Sequence, residues 1–567
     1  MKKKTVSIAL TAVLTTSLLG GPLNTTIFAE GGKSKTEMKD SKINSSAVHP
    51  VFTWNNPAPS SPVLHPGSAK GAGMVQATLD KIDPLMEEMI QDRVMPGAVA
   101  LVARSGHIVK HEAYGDAYRY TDNQFTESDS PVAMEKDTIF DLASISKIFT
   151  TTAAMILYEQ GLFELDDTVA SHLPEFAANG KEEVTIEQLM THTSGFTAWV
   201  PLYSQGESRE DRLDIVLHHR LANAPGSTYT YSDLNMITLG ILIERLSGQR
   251  LDEFVREHLT EPLGMDETMY NPPASLKHRI AATEYQPAIG RGLVWGEVHD
   301  ENAWSLDGVA GHAGVFSTAE DLAKLAHMFI KEGRYGGEQI LQPETIKLLT
   351  ENKIPEFPGN DHGLGWELNQ GWFMDALSNE GSLGHTGYTG TSIVINQEND
   401  TIAILLTNRV HPSRTTVTTN IVRRPFARLV ADSIPVKMDR KEEAWFSGYG
   451  DRLQRSLVAE VNLNDAATLS FDTWYHIENQ SDYGQVQVSK DGETWTDALP
   501  SLTGAQEEWT QTEVHIPADT KFIQFLYKTD ATVNGRGWYV KDLKLLSQNG
   551  EKLQADFTGE GWLQRNH

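Results

Sequence analysis

Cysteine is absent from all 567 residues, so disulfides, thiolate metal ligands and a cysteine nucleophile are excluded. Basic residues are scarce: 48 Lys and Arg face 76 Asp and Glu, a formal net charge of −28. Such a charge repels phosphate backbones and anionic headgroups, which argues against nucleic acid or an anionic membrane as the main partner. Long apolar runs are missing too. The stretch at residues 6–19 is too short to span a bilayer and is followed by Gly20, Gly21 and Pro22.

What stands at the N-terminus instead is Lys2, Lys3 and Lys4, that short apolar run, and Ile27-Phe28-Ala29. This is the pattern of a signal peptide cut after Ala29, and it predicts a secreted protein with no transmembrane anchor after processing. Residues 30–73, rich in Lys, Ser, Pro and Gly and without a period, read as a flexible linker. Trp54 within it is expected to pack loosely on the domain that follows. The chain is too long for one core, so two or three domains are expected.

From residue 74 to 438 the texture is that of a folded domain. Leu79, Ile82, Leu85, Met86 and Met89 recur at helical spacing before Pro96-Gly97. Residues 98–103 and 107–114 read as strands joined at Ser105-Gly106. A helix leading into a hairpin predicts an antiparallel sheet with helices packed on it. Residues 185–190, 236–246, 319–330 and 417–434 read as further helices, the last interrupted by Pro425. Residues 392–396 and 401–407 form a predicted hairpin, entered from an edge strand that carries His385-Thr386-Gly387.

Three polar constellations carry candidate chemistry. Ser144 and Lys147 are three residues apart at the mouth of an apolar helix, so they share a face. A serine hydroxyl needs a base, and a lysine in an apolar setting, its pKa lowered, can be one. The helix N-terminus adds a positive dipole end where an oxyanion forms. Tyr231-Ser232-Asp233 precedes a second apolar helix. Asp233 is placed to cap it, and the Tyr231 phenol to relay a proton if positive charge lowers its pKa. The third, residues 384–390, offers an oxyanion N–H and hydroxyls for a substrate carboxylate. His192 is expected to shape a loop rather than to catalyse. The cluster His299, Asp300, Glu301 and Asn302 lacks a regular ligand spacing, so no metal is assigned. The glycines of residues 308–314 give the backbone room for close approach.

Residues 439–567 turn all-β. Segments 468–474, 484–489, 512–516, 522–528 and 537–545 alternate between turn signals such as Lys490-Asp491-Gly492. That spacing predicts a β-sandwich of about 120 residues, an accessory binding module. Trp474, Trp495, Trp509 and Trp538 are expected in its core, with a glycan-stacking face as the alternative. Asp472, Asp482 and Asp542 are candidate calcium ligands.

Taken together, Ser144-Ile145-Ser146-Lys147, Tyr231-Ser232-Asp233 and His385-Thr386-Gly387 resemble the ordered motifs of penicillin-recognising serine hydrolases. The chain is most similar to the class C β-lactamase-like branch, which includes D-alanyl-D-alanine carboxypeptidases and esterases. Met95-Pro96-Gly97, residues 191–195, residues 308–316 and Thr407-Asn408-Arg409 carry the same resemblance. It implies an α/β (α+β) fold: an antiparallel sheet of five or more strands flanked by helices, plus an all-helical lobe, with the site between them. It implies Ser144 as the acylated nucleophile, Lys147 as its activator and Tyr231 as general base and acid. The N–H groups of Ser144 and Tyr388 would form the oxyanion hole, and Asp233, His385, Thr386 and Gly387 would bind substrate. Two departures stand out. Asp233 replaces the usual Asn, and His385 replaces the Lys common in β-lactamases, which weakens the case for an efficient β-lactamase. The C-terminal region resembles jelly-roll modules of immune-inhibitor-type secreted peptidases, notably in residues 471–475, 488–495 and 534–542.

The expectation is an exported serine hydrolase needing no cofactor, acting through acyl-Ser144 on a D-alanyl peptide, a small ester or a β-lactam. The alternative is a non-catalytic penicillin- or cell-wall-binding protein, in which the last module supplies the wall contact.

Overall fold

The computed structural model describes residues 51–439 and 442–567. The expected signal peptide and residues 30–50 of the expected linker lie outside the described residues. The larger folded region is built on one eight-stranded sheet. Its strands are β1 (His65–Pro66), β2 (Gly97–Arg104), β3 (His107–Tyr120), β4 (Glu127–Ala133), β5 (Glu367–Leu368), β6 (Ser382–Thr386), β7 (Ser392–Asn396) and β8 (Thr401–Thr407). The order is β1-β3-β2-β8-β7-β6-β5, with β4 paired to β3. All pairings are antiparallel except the short β1–β3 contact.

The central strand β2 shows why the sheet has two covered faces. Val99, Leu101 and Ala103 point into one core, and Ala98, Ala100 and Val102 into the other, all of them buried. Side chains alternate with period two along a strand, so a strand apolar at every position must be covered twice. One cover is α1 (Ile82–Gln91) with α5 (Asn420–Asp432). The other is α4 (Ala319–Ile330) and the helical lobe, built around α2 (Ser146–Glu159) and α3 (Asp233–Ser247). α2 is buried from Ser146 to Leu157, as expected for a helix apolar on every side. The fold class and its helical lobe are therefore as the motifs implied.

Three local expectations change. Pro425 does not interrupt α5, which runs unbroken through it. Burial of Val422, Phe426 and Val430 against the sheet outweighs the one hydrogen bond that proline forfeits. β6 is not an edge strand, because the two-residue β5 pairs outside it. Residues 51–73 are not a loose tether. Trp54, Ala69 and Ala72 are buried in the same core as α1, and β1 joins the sheet. The buried Arg104 at the end of β2 ties them down, donating to the carbonyls of Thr53, Ala72, Gly73 and Asn399. A Lys-, Ser- and Pro-rich composition hid this, since one tryptophan and a few alanines carry the packing.

The C-terminal region is all-β. A six-stranded antiparallel sheet includes Gly504–Ile516, Ala467–Ile477, Gly537–Ser547, Ala444–Phe446 and Leu563–Arg565. A four-stranded sheet orders Gln454–Glu460, Phe522–Lys528, Tyr483–Ser489 and Thr496–Asp497. Leu469, Phe471, Val486, Phe525, Trp538 and Val540 meet between them. Trp538 is buried in this core as expected, while Trp474 is buried in a separate cluster with Phe446, Tyr539 and Val436. The module is locked to α5: Arg428 pairs with Asp375 at 2.8 Å and Asp451 at 3.1 Å, and Arg565 pairs with Asp432 at 2.8 Å. Arg536 of the module lies over the Trp54 ring at 4.5 Å.

Because Trp54 is 3% exposed and packed on both sides, Trp54→Ala is expected to cost about 3–5 kcal/mol. Denaturant unfolding of the variant would measure it; an unchanged midpoint would return residues 51–73 to the status of a tether.

Candidate active site

Ser144 follows a strained residue. Ala143 has φ +48°, a left-handed backbone that costs a non-glycine residue energy and marks a functional turn. Asp141 holds the turn. One of its carboxylate oxygens accepts the Ala143 N–H at 2.8 Å and the other accepts the His299 N–H at 2.6 Å. From there a 3-10 turn, Ala143–Ile145, runs into α2, and the Ser146 hydroxyl accepts the Val315 N–H at 3.0 Å.

Two glycines bring the other segments in. A Cβ on Gly387 would lie 2.3 Å from the Leu142 carbonyl oxygen, so only glycine lets the turn after β6 approach the residues before Ser144. Thr389 and Thr391 then donate to the carbonyls of Asp141 and Leu142 at 2.7 and 3.1 Å. A Cβ on Gly311 would lie 1.9 Å from the Met236 carbonyl, so this loop can wedge between α2 and α3. At its far side Thr150 donates to Gly311 O at 2.8 Å.

These approaches converge on Lys147. Its Nζ lies 3.0 Å from Ser144 Oγ, 3.2 Å from the His312 carbonyl oxygen and 2.9 Å from Asp233 Oδ1. Tyr231 stands beside them, its ring centre 4.8 Å from Nζ. Lys147 is 1% exposed. Burial alone pushes its pKa down, as the sequence suggested, but Asp233 and then Tyr231 outweigh burial and raise it. The raised value favours an ammonium that donates to Ser144, in place of the lowered lysine pKa that the sequence suggested. The cause is Asp233 itself, a negative charge where an amide is usual. Asp233 does not cap α3 either. Ser232 does, accepting the Leu234 N–H at 3.2 Å, and this frees the Asp233 carboxylate for the lysine.

Tyr231 also differs from expectation. Burial raises its pKa above the ordinary phenol value, and the Lys147 charge opposes that without reversing it. His192 behaves as a shaping residue: Nδ1 accepts the Ser232 N–H at 3.1 Å and the ring sits 4.6 Å from that of Tyr231.

A cleft of ≈ 540 Å³ opens over the nucleophile, a size usual for a small-molecule site. Of the expected residues, Ser144, Tyr231, Thr386, Gly387 and Tyr388 line it, and Tyr388 is 54% exposed. Lys147, Asp233 and His385 do not. His385 is buried, its ring 6.0 Å from Tyr231. Its Nδ1–H donates to Thr386 O at 2.8 Å, and burial, then Lys147, pushes its pKa to about 3. It is a neutral packing partner of Tyr231 rather than a cation facing substrate.

The cluster at residues 299–302 is a network of close polar contacts. His299 meets Glu284 at 2.9 Å, and Arg414 meets Glu284 at 2.6 Å. Asp300 caps the helix Glu301–Ser305 and meets His312 at 2.8 Å. Asp300, His312 and Asp233 come within 4.8 Å of one another. Asp233 already faces the Lys147 amine at 2.9 Å and Asp300 the His312 ring at 2.8 Å, so these side chains are already engaged with each other.

Known proteins place this arrangement. The sequence model of the Beta-lactamase family matches residues 82–426, more than half of the chain. The chain belongs to the β-lactamase family of serine hydrolases. A second model, "Immune inhibitor A-like, MAM domain", matches residues 413–562. An Escherichia coli K12 protein described as "Putative D-alanyl-D-alanine carboxypeptidase" is 33% identical over 62% of this chain and 86% of its own. A Salmonella agona protein of the same description is 32% identical over 62% and 87%. Among solved structures, the hydrolase EstCE1 aligns with a TM-score of 0.50 at 23% identity, over 63% of this chain and 99% of that one, a likeness of fold.

Within this β-lactamase-family cleft, sequence reasoning missed Glu367, Arg409 and Arg423. Arg409 stood in a stretch marked as familiar but without a role. Glu367 sits on the two-residue β5, which has no period to detect. Burial raises its pKa to about 7, against the pull of Arg423 and Lys147.

Asp233 raises both Lys147 and Tyr231. Asp233→Asn is therefore expected to lower both, and to move the acid-side limb of kcat/KM for an activated ester to lower pH. An unmoved limb would separate Asp233 from the proton chemistry.

Proposed function

We propose that the protein is an exported serine hydrolase that forms an acyl-Ser144 intermediate with a D-alanyl peptide or a related amide or ester. The observation that carries this is Ser144 Oγ, 3.0 Å from the Lys147 ammonium, lining one cleft together with Tyr231. A binding protein has no need to bury an ammonium against a serine hydroxyl.

In this proposal the reactive form carries Tyr231 as phenolate, held by the Lys147 charge. The phenolate takes the Ser144 proton as Oγ bonds to the substrate carbonyl carbon. The N–H groups of Ser144 and Tyr388 receive the oxyanion. Tyr231 returns the proton to the leaving amine or alcohol as the C–N or C–O bond breaks. Water then repeats the sequence, giving up a proton to Tyr231 and restoring Ser144. Because burial raises the Tyr231 pKa, the rate should climb as pH rises toward that value. Lys147 stays charged throughout and lowers the cost of both anions.

Two features favour a peptide over a β-lactam. The curated relatives are described as D-alanyl-D-alanine carboxypeptidases. The neutral, buried His385 leaves the β6 side of the cleft without the cation that β-lactamases commonly place there, while Arg409 on the wall supplies positive charge for a substrate carboxylate. Export rests on the Lys2–Ala29 pattern of the sequence.

Labelling with a fluorescent penicillin or a fluorophosphonate tests the nucleophile. The parent protein should be labelled and Ser144→Ala should not, with turnover falling on the order of 10⁴-fold or more. Equal labelling of both would remove Ser144. A panel of D-Ala-D-Ala peptide, ester and β-lactam, read by acyl-enzyme mass spectrometry, ranks the substrates. Binding without turnover on any of them would favour the wall-binding alternative.

A further inference from the structure

The C-terminal module holds an acidic cluster that the hydrolase chemistry does not use. Glu478 and Asp482 flank the turn between strands Ala467–Ile477 and Tyr483–Ser489, and Asp530 follows the strand Phe522–Lys528. One carboxylate oxygen from each lies within 4.8 Å of the other two. This differs from the set proposed from sequence. Asp482 remains, but Asp472 sits opposite Lys541 in the strand ladder and Asp542 is on that same neighbouring strand.

What points to a ligand is the state of the oxygens. Asp482 is 0% exposed. Its Oδ1 accepts the Asp530 N–H at 2.7 Å, but its Oδ2 is buried with no hydrogen-bond partner. Glu478 Oε2 is likewise buried and without a partner. A buried carboxylate oxygen left unpaired costs several kcal/mol. The guanidiniums on the facing helix do not relieve it, since Arg424 and Arg428 pair with Asp451 and Asp375 instead. Burial and the mutual repulsion of these acids hold both carboxyls above the usual carboxylate range.

We propose that Glu478, Asp482 and Asp530 bind a hard divalent cation of the calcium class. All donors are carboxylate oxygens, which suit calcium and disfavour soft transition metals. Oxygens bound at about 2.3–2.6 Å on either side of one ion are separated by up to about 5 Å, so the cluster fits a single coordination shell. The ion would clamp the 478–482 turn to the segment after Lys528. Those residues adjoin Val533 and Asn534, where the module meets the hydrolase domain: Gly371 approaches Val533 closely, and Asn534 donates to Asp451 at 2.8 Å, which in turn pairs with Arg428 of α5 at 3.1 Å.

Calorimetric titration of the chelator-treated full chain with calcium chloride tests the site, with thermal melting in parallel. A saturable one-to-one isotherm with a Kd at or below about 10⁻³ M is expected, with a rise in melting temperature. Glu478→Gln and Asp482→Asn should each weaken binding at least tenfold, and Asp472→Asn should leave it unchanged. Should Asp482→Asn fail to fold, Glu478→Gln carries the test, because that residue is only partly buried. Absence of heat and of any melting shift with calcium, magnesium or manganese would overturn the proposal. So would undiminished binding by a folded Glu478→Gln variant. Neither outcome bears on acylation of Ser144, which penicillin or fluorophosphonate labelling reads separately.

Discussion

The structure depends on one buried ammonium. A lysine charge cannot leave water unless oxygen acceptors surround it, and those of Lys147 come from three segments: Ser144 in the turn just before α2, Asp233 at the start of α3 and the His312 carbonyl on the glycine-rich loop. Each must arrive at hydrogen-bonding distance at once. That requirement explains the tight glycine contacts at Gly311 and Gly387, the buried α2 and the strained turn at Ala143. The same ammonium governs the electrostatics of the site, and the Asp233 carboxylate 2.9 Å away favours its charged form.

Much of the architecture was legible in residue patterns. The strands at residues 98–103, 392–396 and 401–407 and the helix at 319–330 fell where period and punctuation put them. The convergence of Ser144, Lys147 and Tyr231 could be named because each lies beside a strongly apolar helix. Protonation could not. The pKa of Lys147 is a balance between burial and its neighbours Asp233 and Tyr231, and only distances settle which wins. His385 shows the same limit. A histidine in a motif can face either way across a strand, and here it faces the tyrosine instead of the cleft. Glu367 and Arg423, contributed by a two-residue strand and by a helix far along the chain, offered no local signal at all.

The two folded regions are coupled through α5. Its inner side packs on the sheet, through Val422, Phe426 and Val430, while Arg428 and Asp432 reach the module. Asp375 is buried beneath this contact and out of reach of solvent donors, so the two hydrogen bonds it accepts from Arg428 are what make its charge tolerable. Arg423 on the same helix donates to the carbonyls of Gly387 and Thr391, which frame the cleft. One helix thus touches both the wall of the cleft and the base of the accessory module.

Arg104 carries a practical lesson for anyone cutting this chain into pieces. An expression fragment begun at residue 74, where helical periodicity first becomes visible, would delete three of the four carbonyl groups that accept from its guanidinium. A permanently charged group would then sit at the end of a central strand with a single remaining acceptor. The smallest independent folding unit therefore has to start upstream of Thr53, inside a stretch whose composition looks like spacer.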